Sequence, residues 1–128
     1  MAEGTFLNHV ALQCNNKEKV ETFYTKVLGL PIKKKFTISR ELSRTIFSID
    51  KSVDVEVYDN NETRFEIFIA QTDEERGYMH VCIEIDNKKK FMDRCKQYGL
   101  KPMVMNKGGK NLLFVRDFSG NLFEIKEK

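Results

Sequence analysis

The sequence predicts an α+β domain made of two βαβββ modules, whose strands form a curved, mainly antiparallel eight-stranded sheet with the helices outside. Three observations predict it. First, the chain nearly repeats itself: residues 8–31 read NHVALQCNNKEKVETFYTKVLGLP and residues 79–102 read MHVCIEIDNKKKFMDRCKQYGLKP. His9 and His80 are 71 positions apart, as are Asn16 and Asn87, while Gly29 and Gly99 are 70 apart, so the second helix is one residue shorter. The halves also end alike, in RFEIFI at 64–69 and LFEIKE at 122–127. Second, segments that alternate apolar and polar residues alternate with stretches of helical periodicity. Third, a chain of 128 residues fits one domain, 1–128, that can bury a core. Module one is placed at 5–70 and module two at 78–127.

Each element follows from its pattern. In 5–14, Phe6, Asn8, Val10 and Leu12 share one face, and Leu7, His9, Ala11 and Gln13 share the other, which is a strand. Asn15 or Asn16 can cap the next helix. Its Val20, Phe23, Tyr24, Val27 and Leu28 form one apolar stripe. Gly29 can end it in a left-handed conformation, and Pro31 forbids continuation. A strand is expected at about 32–38, and then a short helix within 39–49 with Leu42, Ile46 and Ile49 inward. Strands at 53–59 and 63–70 are joined by the turn-forming DNNE. The second module repeats the plan: a strand at 78–86, a helix at 88–98, and strands at about 102–106, 110–117 and 121–127. Gly108-Gly109 and the run Asp117 to Asn121 supply the last two turns.

Composition narrows the function. The net charge of +3 is mild and the basic residues are spread, apart from Lys33–Lys35 and Lys88–Lys90, so no nucleic-acid partner is expected. No apolar stretch approaches a membrane span, and the N-terminal MAEGTFLN does not read as a secretory leader. Cys14, Cys82 and Cys95 are odd in number and lack metal-knot spacing, which predicts free thiols and a cytoplasmic chain.

The strand faces concentrate the candidate chemistry. Phe65, Ile67 and Ile69 oppose Arg64, Glu66 and Phe68; Met79, Val81, Ile83 and Ile85 oppose Tyr78, His80, Cys82 and Glu84; Phe123 and Ile125 oppose Leu122, Glu124 and Lys126. His9, Glu66, His80 and Glu124 therefore all lie on the side away from the greasy face. A polar strand face is ordinarily just solvated, and Glu56 is a rival for Glu66. The recurrence of both His residues and both FEI glutamates at repeat-equivalent positions is what singles out the set. Two imidazoles and two carboxylates suit Ni²⁺, Co²⁺, Zn²⁺, Mn²⁺ or Fe²⁺, with positions left for substrate.

With LNHVAL at the first strand, FYTKVLGLP at 23–31, FEIF at 65–68, MHVCIEID at 79–86 and RDFSGNLFEI at 116–125, the chain resembles the vicinal oxygen chelate superfamily, which includes glyoxalase I. The resemblance covers about residues 6–127. It places the family's four metal ligands on His9, Glu66, His80 and Glu124, preferring Glu66 over Glu56, a set closest to that of bacterial glyoxalase I. It implies one divalent metal ion per site and a lyase or isomerase acting on a small α-oxo compound or its thiol hemithioacetal. The metal would stabilise an enediolate while Glu124 or Glu66 acts as the catalytic base. Gln13 stands where glutathione-using members carry Arg, and Ala70 where they often carry Asn, which departs from the glutathione pattern. Gln13, Arg64, Phe68, Tyr78, Glu84 and Lys126 are the expected substrate-pocket residues. The fold also implies a homodimer. The alternatives are a non-catalytic drug- or metabolite-binding protein of the same fold, or an epimerase or dioxygenase of the superfamily.

Overall fold

In a computed structural model, which describes residue 4, residues 6–71 and residues 78–128, the chain folds as eight strands and three helices. Module one comprises β1 (Val10–Cys14), α1 (Lys17–Glu21, continued by a π-helical turn Thr22–Val27), β2 (Ile32–Ile38), α2 (Arg40–Phe47), β3 (Val53–Asp59) and β4 (Arg64–Ile69). Module two comprises β5 (Val81–Ile85), α3 (Lys88–Gln97), β6 (Met103–Lys107), β7 (Lys110–Arg116) and β8 (Leu122–Glu127). The strands form two four-stranded sheets of identical topology, β1-β4-β3-β2 and β5-β8-β7-β6. In each, the first strand runs parallel to the last and the other pairs are antiparallel.

The repeat extends to local chemistry. Asn16 caps α1 by accepting from the Lys19 amide at 3.3 Å, and Asn87 caps α3 by accepting from the Lys90 amide at 2.9 Å. Gly29 and Gly99 close the two helices at φ 77° and 84°, a left-handed conformation that glycine adopts without strain. The extra residue of the first helix is absorbed by the π-helical turn, where the Leu28 amide reaches back five residues to the Phe23 carbonyl at 2.9 Å.

The apolar faces of both sheets, α1 and its π-helical turn, and α3 share one core. The Phe23 ring lies 5.2 Å from that of Phe123, and the Tyr24 ring 5.7 Å from that of Phe65. A polar knot ties the modules beside it. Buried Asp117 accepts from the Tyr24 hydroxyl at 3.0 Å, the Cys14 thiol at 3.4 Å and the Asn121 amide group at 2.8 Å, and Asn121 also donates to the Gln13 carbonyl at 3.1 Å.

Two expectations need correcting. The strands predicted from residues 5 and 78 start later, at Val10 and Val81, so His9 and His80 each stand one residue ahead of a strand. β1 and β5 are edge strands, and their ladders with β4 and β8 begin at the pairs Val10–Phe65 and Val81–Phe123, one residue after each histidine. The second correction concerns α2, which forms with Ser39 as its cap but does not turn Leu42 and Ile46 inward; both are roughly half exposed, while Ile49, past the helix end and also half exposed, lines a chamber over module one. The helix crosses the open face of module one rather than the shared core. Ser43 is the residue it buries, and Phe47 meets Phe68 edge-on at 5.5 Å.

Candidate metal centre and adjoining chamber

Sheet register decides where the candidate side chains go. Ala11 is level with Glu66 and Cys82 with Glu124. Because strand side chains alternate, His9 and His80, two residues earlier, lie on the same faces as those glutamates. The two pairs form: His9 Nδ1 lies 3.4 Å from Glu66 Oε2, and His80 Nε2 lies 3.6 Å from Glu124 Oε1. Two ligand atoms at about 2.1 Å from one tetrahedral ion stand about 3.4 Å apart, so each pair has the spacing of neighbouring ligands. The His80 Nδ1–H donates to the Tyr78 carbonyl at 2.9 Å, which leaves the Nε2 lone pair facing Glu124. His9 Nδ1 also lies 2.7 Å from Asn8 Oδ1.

Glu56 is on the opposite face. It is buried beside the core, accepts from the Tyr58 hydroxyl at 2.7 Å, and has Lys35 at 3.8 Å. Burial and this carboxylate push the Tyr58 hydroxyl well above its usual pKa.

The structure forms two pairs and not one quartet. Among the described residues of a single chain, no three His, Cys, Asp or Glu side chains come close enough to share an ion. The pairs sit on different sheets, and each is flanked by uncovered apolar residues. Phe6 and Leu7 before His9, and Tyr78 and Met79 before His80, are between 72% and 98% exposed.

The expected pocket residues divide. Arg64 lies 3.7 Å from both Glu66 and Asp59, next to the first pair. Glu84 and Lys126 are level with each other on β5 and β8, beyond the second pair. Tyr78 is exposed and stands apart from the chamber that Gln13 and Phe68 line. Gln13 and Phe68 line a chamber of about 590 Å³ between α2 and the open face of module one, together with Ala11, Phe47, Lys51 and Ala70. The Gln13 amide donates to the Gln71 carbonyl at 3.0 Å at its far end. Sequence reading missed Phe47 and Lys51. The signal was that module two has no helix between β6 and β7, so α2 is an insertion into the repeat and had no reason to pack as the repeat's own helices do.

The sequence profile of the glyoxalase/bleomycin resistance protein/dioxygenase superfamily matches residues 6–125. The chain belongs to this superfamily. Solved structures with the superfamily's fold superpose over almost the whole chain. A glyoxalase family protein from Bacillus cereus is 16% identical with a TM-score of 0.75, covering 99% of this chain and 97% of that one. The fosfomycin resistance protein FosX from Listeria monocytogenes is 16% identical with a TM-score of 0.73, covering 100% and 95%. A variant of the same FosX, complexed with Mn(II) and 1S,2S-dihydroxypropylphosphonic acid, is 19% identical with a TM-score of 0.72, covering 98% and 93%. At such identities the likeness shows the fold. No curated protein sequence matches the chain. The three cysteines are free, and among the described residues no helix is long and apolar enough to cross a membrane.

Proposed function

We propose that the protein is a metal-dependent enzyme of the glyoxalase I type, a lyase or isomerase acting on a small α-oxo compound or its thiol hemithioacetal. The observation that carries this reading is the pair of repeat-related imidazole–carboxylate couples, at 3.4 and 3.6 Å, on equivalent positions of two equivalent sheets. His9, Glu66, His80 and Glu124 would hold one divalent ion, which when bound polarises substrate oxygens as a Lewis acid. The donor set fits: each carboxylate lies beside an imidazole, His80 has its Nε2 free, and His9, whose Nδ1–H donates to Asn8 Oδ1, would offer its Nε2. Glu66 and Glu124 are the candidate bases, either able to carry a proton between neighbouring carbons.

The site is completed by a second copy of the chain. Each copy lends one pair, and the exposed Phe6, Leu7, Tyr78 and Met79 around the two histidines are the surface the other copy covers. Mixing two inactive chains tests this. One carries His9→Ala and Glu66→Ala, the other His80→Ala and Glu124→Ala. After co-refolding, a site shared between copies leaves one intact centre in each mixed dimer, or roughly a quarter of the wild-type metal in a random mixture. If the mixture binds no more metal than either variant alone, the shared site is refuted. A hemithioacetal assay across Ni²⁺, Co²⁺ and Zn²⁺ tests the reaction.

The likeness to the fosfomycin resistance protein FosX, one structure of which holds Mn(II) and a dihydroxypropylphosphonic acid, supports a second reading, metal-assisted chemistry on fosfomycin or a related phosphonic acid. Consumption of fosfomycin, with no turnover of hemithioacetal, would select it.

A further inference from the structure

The chamber beneath α2 is the feature by which the two modules differ. Glu66 and Glu124 are 58 positions apart whereas the histidines are 71 apart, and the difference is the α2 segment between β2 and β3. Between β6 and β7 the chain turns on Gly108 and Gly109 instead. The insertion roofs a space whose floor carries Ala11, Val53, Phe68 and Ala70, and Phe47 forms a wall against Phe68. A volume of about 590 Å³ is ample for a small ligand.

Charge in this chamber is one-sided. Lys51 is the only charged residue among its described lining. The neighbouring Asp50 does not neutralise it: Arg40 holds that carboxylate with two hydrogen bonds, at 2.8 and 2.7 Å, and Arg44 lies 3.6 Å away. Asp54 is engaged by Thr37 at 2.8 Å and Lys17 at 3.8 Å. Among the described residues, Lys51 has no counter-charge.

Register sets the length of the space. Val57 is level with Glu66. Val53, four residues away along β3, is about 13 Å from it at the usual strand rise, and Lys51 lies beyond. The chamber thus begins at Ala11, level with Glu66, and ends at Lys51, which has no counter-charge among the described residues, with a largely apolar lining between.

We propose that this chamber selects an elongated anionic substrate: an apolar, aryl-sized body under α2, its acid group at Lys51, and its oxygen-bearing reactive end toward His9 and Glu66. The proposal rests on the metal-site reading above for the direction of the reactive end, but the chamber's selectivity is measured without metal. The probes are 4-phenylbutyrate and its uncharged amide, titrated calorimetrically into the full chain in excess chelator. The carboxylate is expected to bind roughly tenfold more tightly than the amide. Lys51→Met should bring the carboxylate to the amide's affinity, while Lys51→Arg preserves the preference. Ala70→Phe, which fills the chamber, should weaken both probes at least tenfold; Phe47→Ala, at a half-exposed position that tolerates truncation, should weaken both if Ala70→Phe does not fold. Equal affinities for the two probes, an unchanged preference in Lys51→Met, or no saturable binding of either probe would overturn the proposal. Failure of the metal reading would appear instead as unaltered metal content in His9→Ala and His80→Ala, with the probe results intact.

Discussion

Replacing Asp117 with Ala removes the carboxylate on which the two modules converge. Its Oδ2 accepts from the Tyr24 hydroxyl, the Asn121 side chain and the Cys14 thiol; its Oδ1 accepts from the backbone amides of Ser119 at 2.9 Å and Asn121 at 2.8 Å. Asn121 keeps a partner in the Gln13 carbonyl, but the Tyr24 hydroxyl, fully buried, is left without its acceptor. An orphaned buried hydroxyl costs about 1–3 kcal/mol, and the loss of two charge-assisted amide bonds, partly replaced by water, about 1 kcal/mol each. The expected destabilisation is about 4 kcal/mol. Unfolding entropy near 2.1 cal/mol/K per residue gives about 0.27 kcal/mol/K for 128 residues, so the melting temperature should fall by about 15 °C in calorimetry. Tyr24→Phe removes one bond to a charged group and should cost about 1.5 kcal/mol, or about 6 °C. Asp93→Ala, at an exposed site on α3, is the control. A fall for Asp117→Ala no larger than that of the control would refute the view that this knot holds the modules together.

Three further outcomes follow from the same physics. Gly99→Ala forces a side chain into a left-handed conformation at φ 84° with no atom within 4 Å of the new Cβ, so strain alone acts, and the melting temperature should fall by about 4 °C, a cost of about 1 kcal/mol. Burial, reinforced by Asp117, pushes the Cys14 thiol from 9.0 to about 12, and burial pushes Cys95 to about 11. Above pH 9 the unfolded thiols lose protons that the folded ones keep, so stability is intact below pH 9 and falls as pH rises from there. At pH 10 the loss is of order 1 kcal/mol per thiol, and Cys14→Ala should flatten the decline of the melting temperature with pH. A thiol reagent at pH 8 should label exposed Cys82 alone, and slowly, because partial burial and the Glu124 charge raise its pKa; rapid labelling of Cys14 or Cys95 in the folded protein would contradict the burial described.

Much of this fold was legible because the chain states its plan twice. Asparagine caps, glycine stops and FEI strands recur at matched positions, and local rules for each repeat point the same way. Even the one-residue mismatch between the helices had a physical meaning, since a single inserted residue in an α-helix is accommodated by a wider turn. The limits lay where local pattern does not carry the answer. The strand ahead of β1 read well by alternation, yet strand pairing is non-local, and the ladder with β4 begins only at Val10. In α2, the amphipathic pattern was real but its direction was misread. An apolar stripe says that a face wants covering, not which surface covers it. Here Leu42 and Ile46 are left open, and the helix gives Ser43 and Phe47 to the chamber, joined by Ile49 just past its end.

The candidate centre shows the same division between pattern and geometry. Alternation put His9, Glu66, His80 and Glu124 on non-core faces, and the register of β1 on β4 and of β5 on β8 brings them together as two pairs. Duplication alone cannot make four ligands from two pairs, because equivalent positions in two modules meet only if the modules are placed face to face. In this chain the shared core fixes the modules back to back through Phe23, Tyr24 and Phe123, with their open faces turned outward. The packing that stabilises the single chain therefore separates the two pairs. The proposed symmetric second copy would remove the conflict, since its own outward faces could meet these without disturbing either core. That copy would also cover the apolar residues left bare immediately before both histidines, Phe6, Leu7, Tyr78 and Met79.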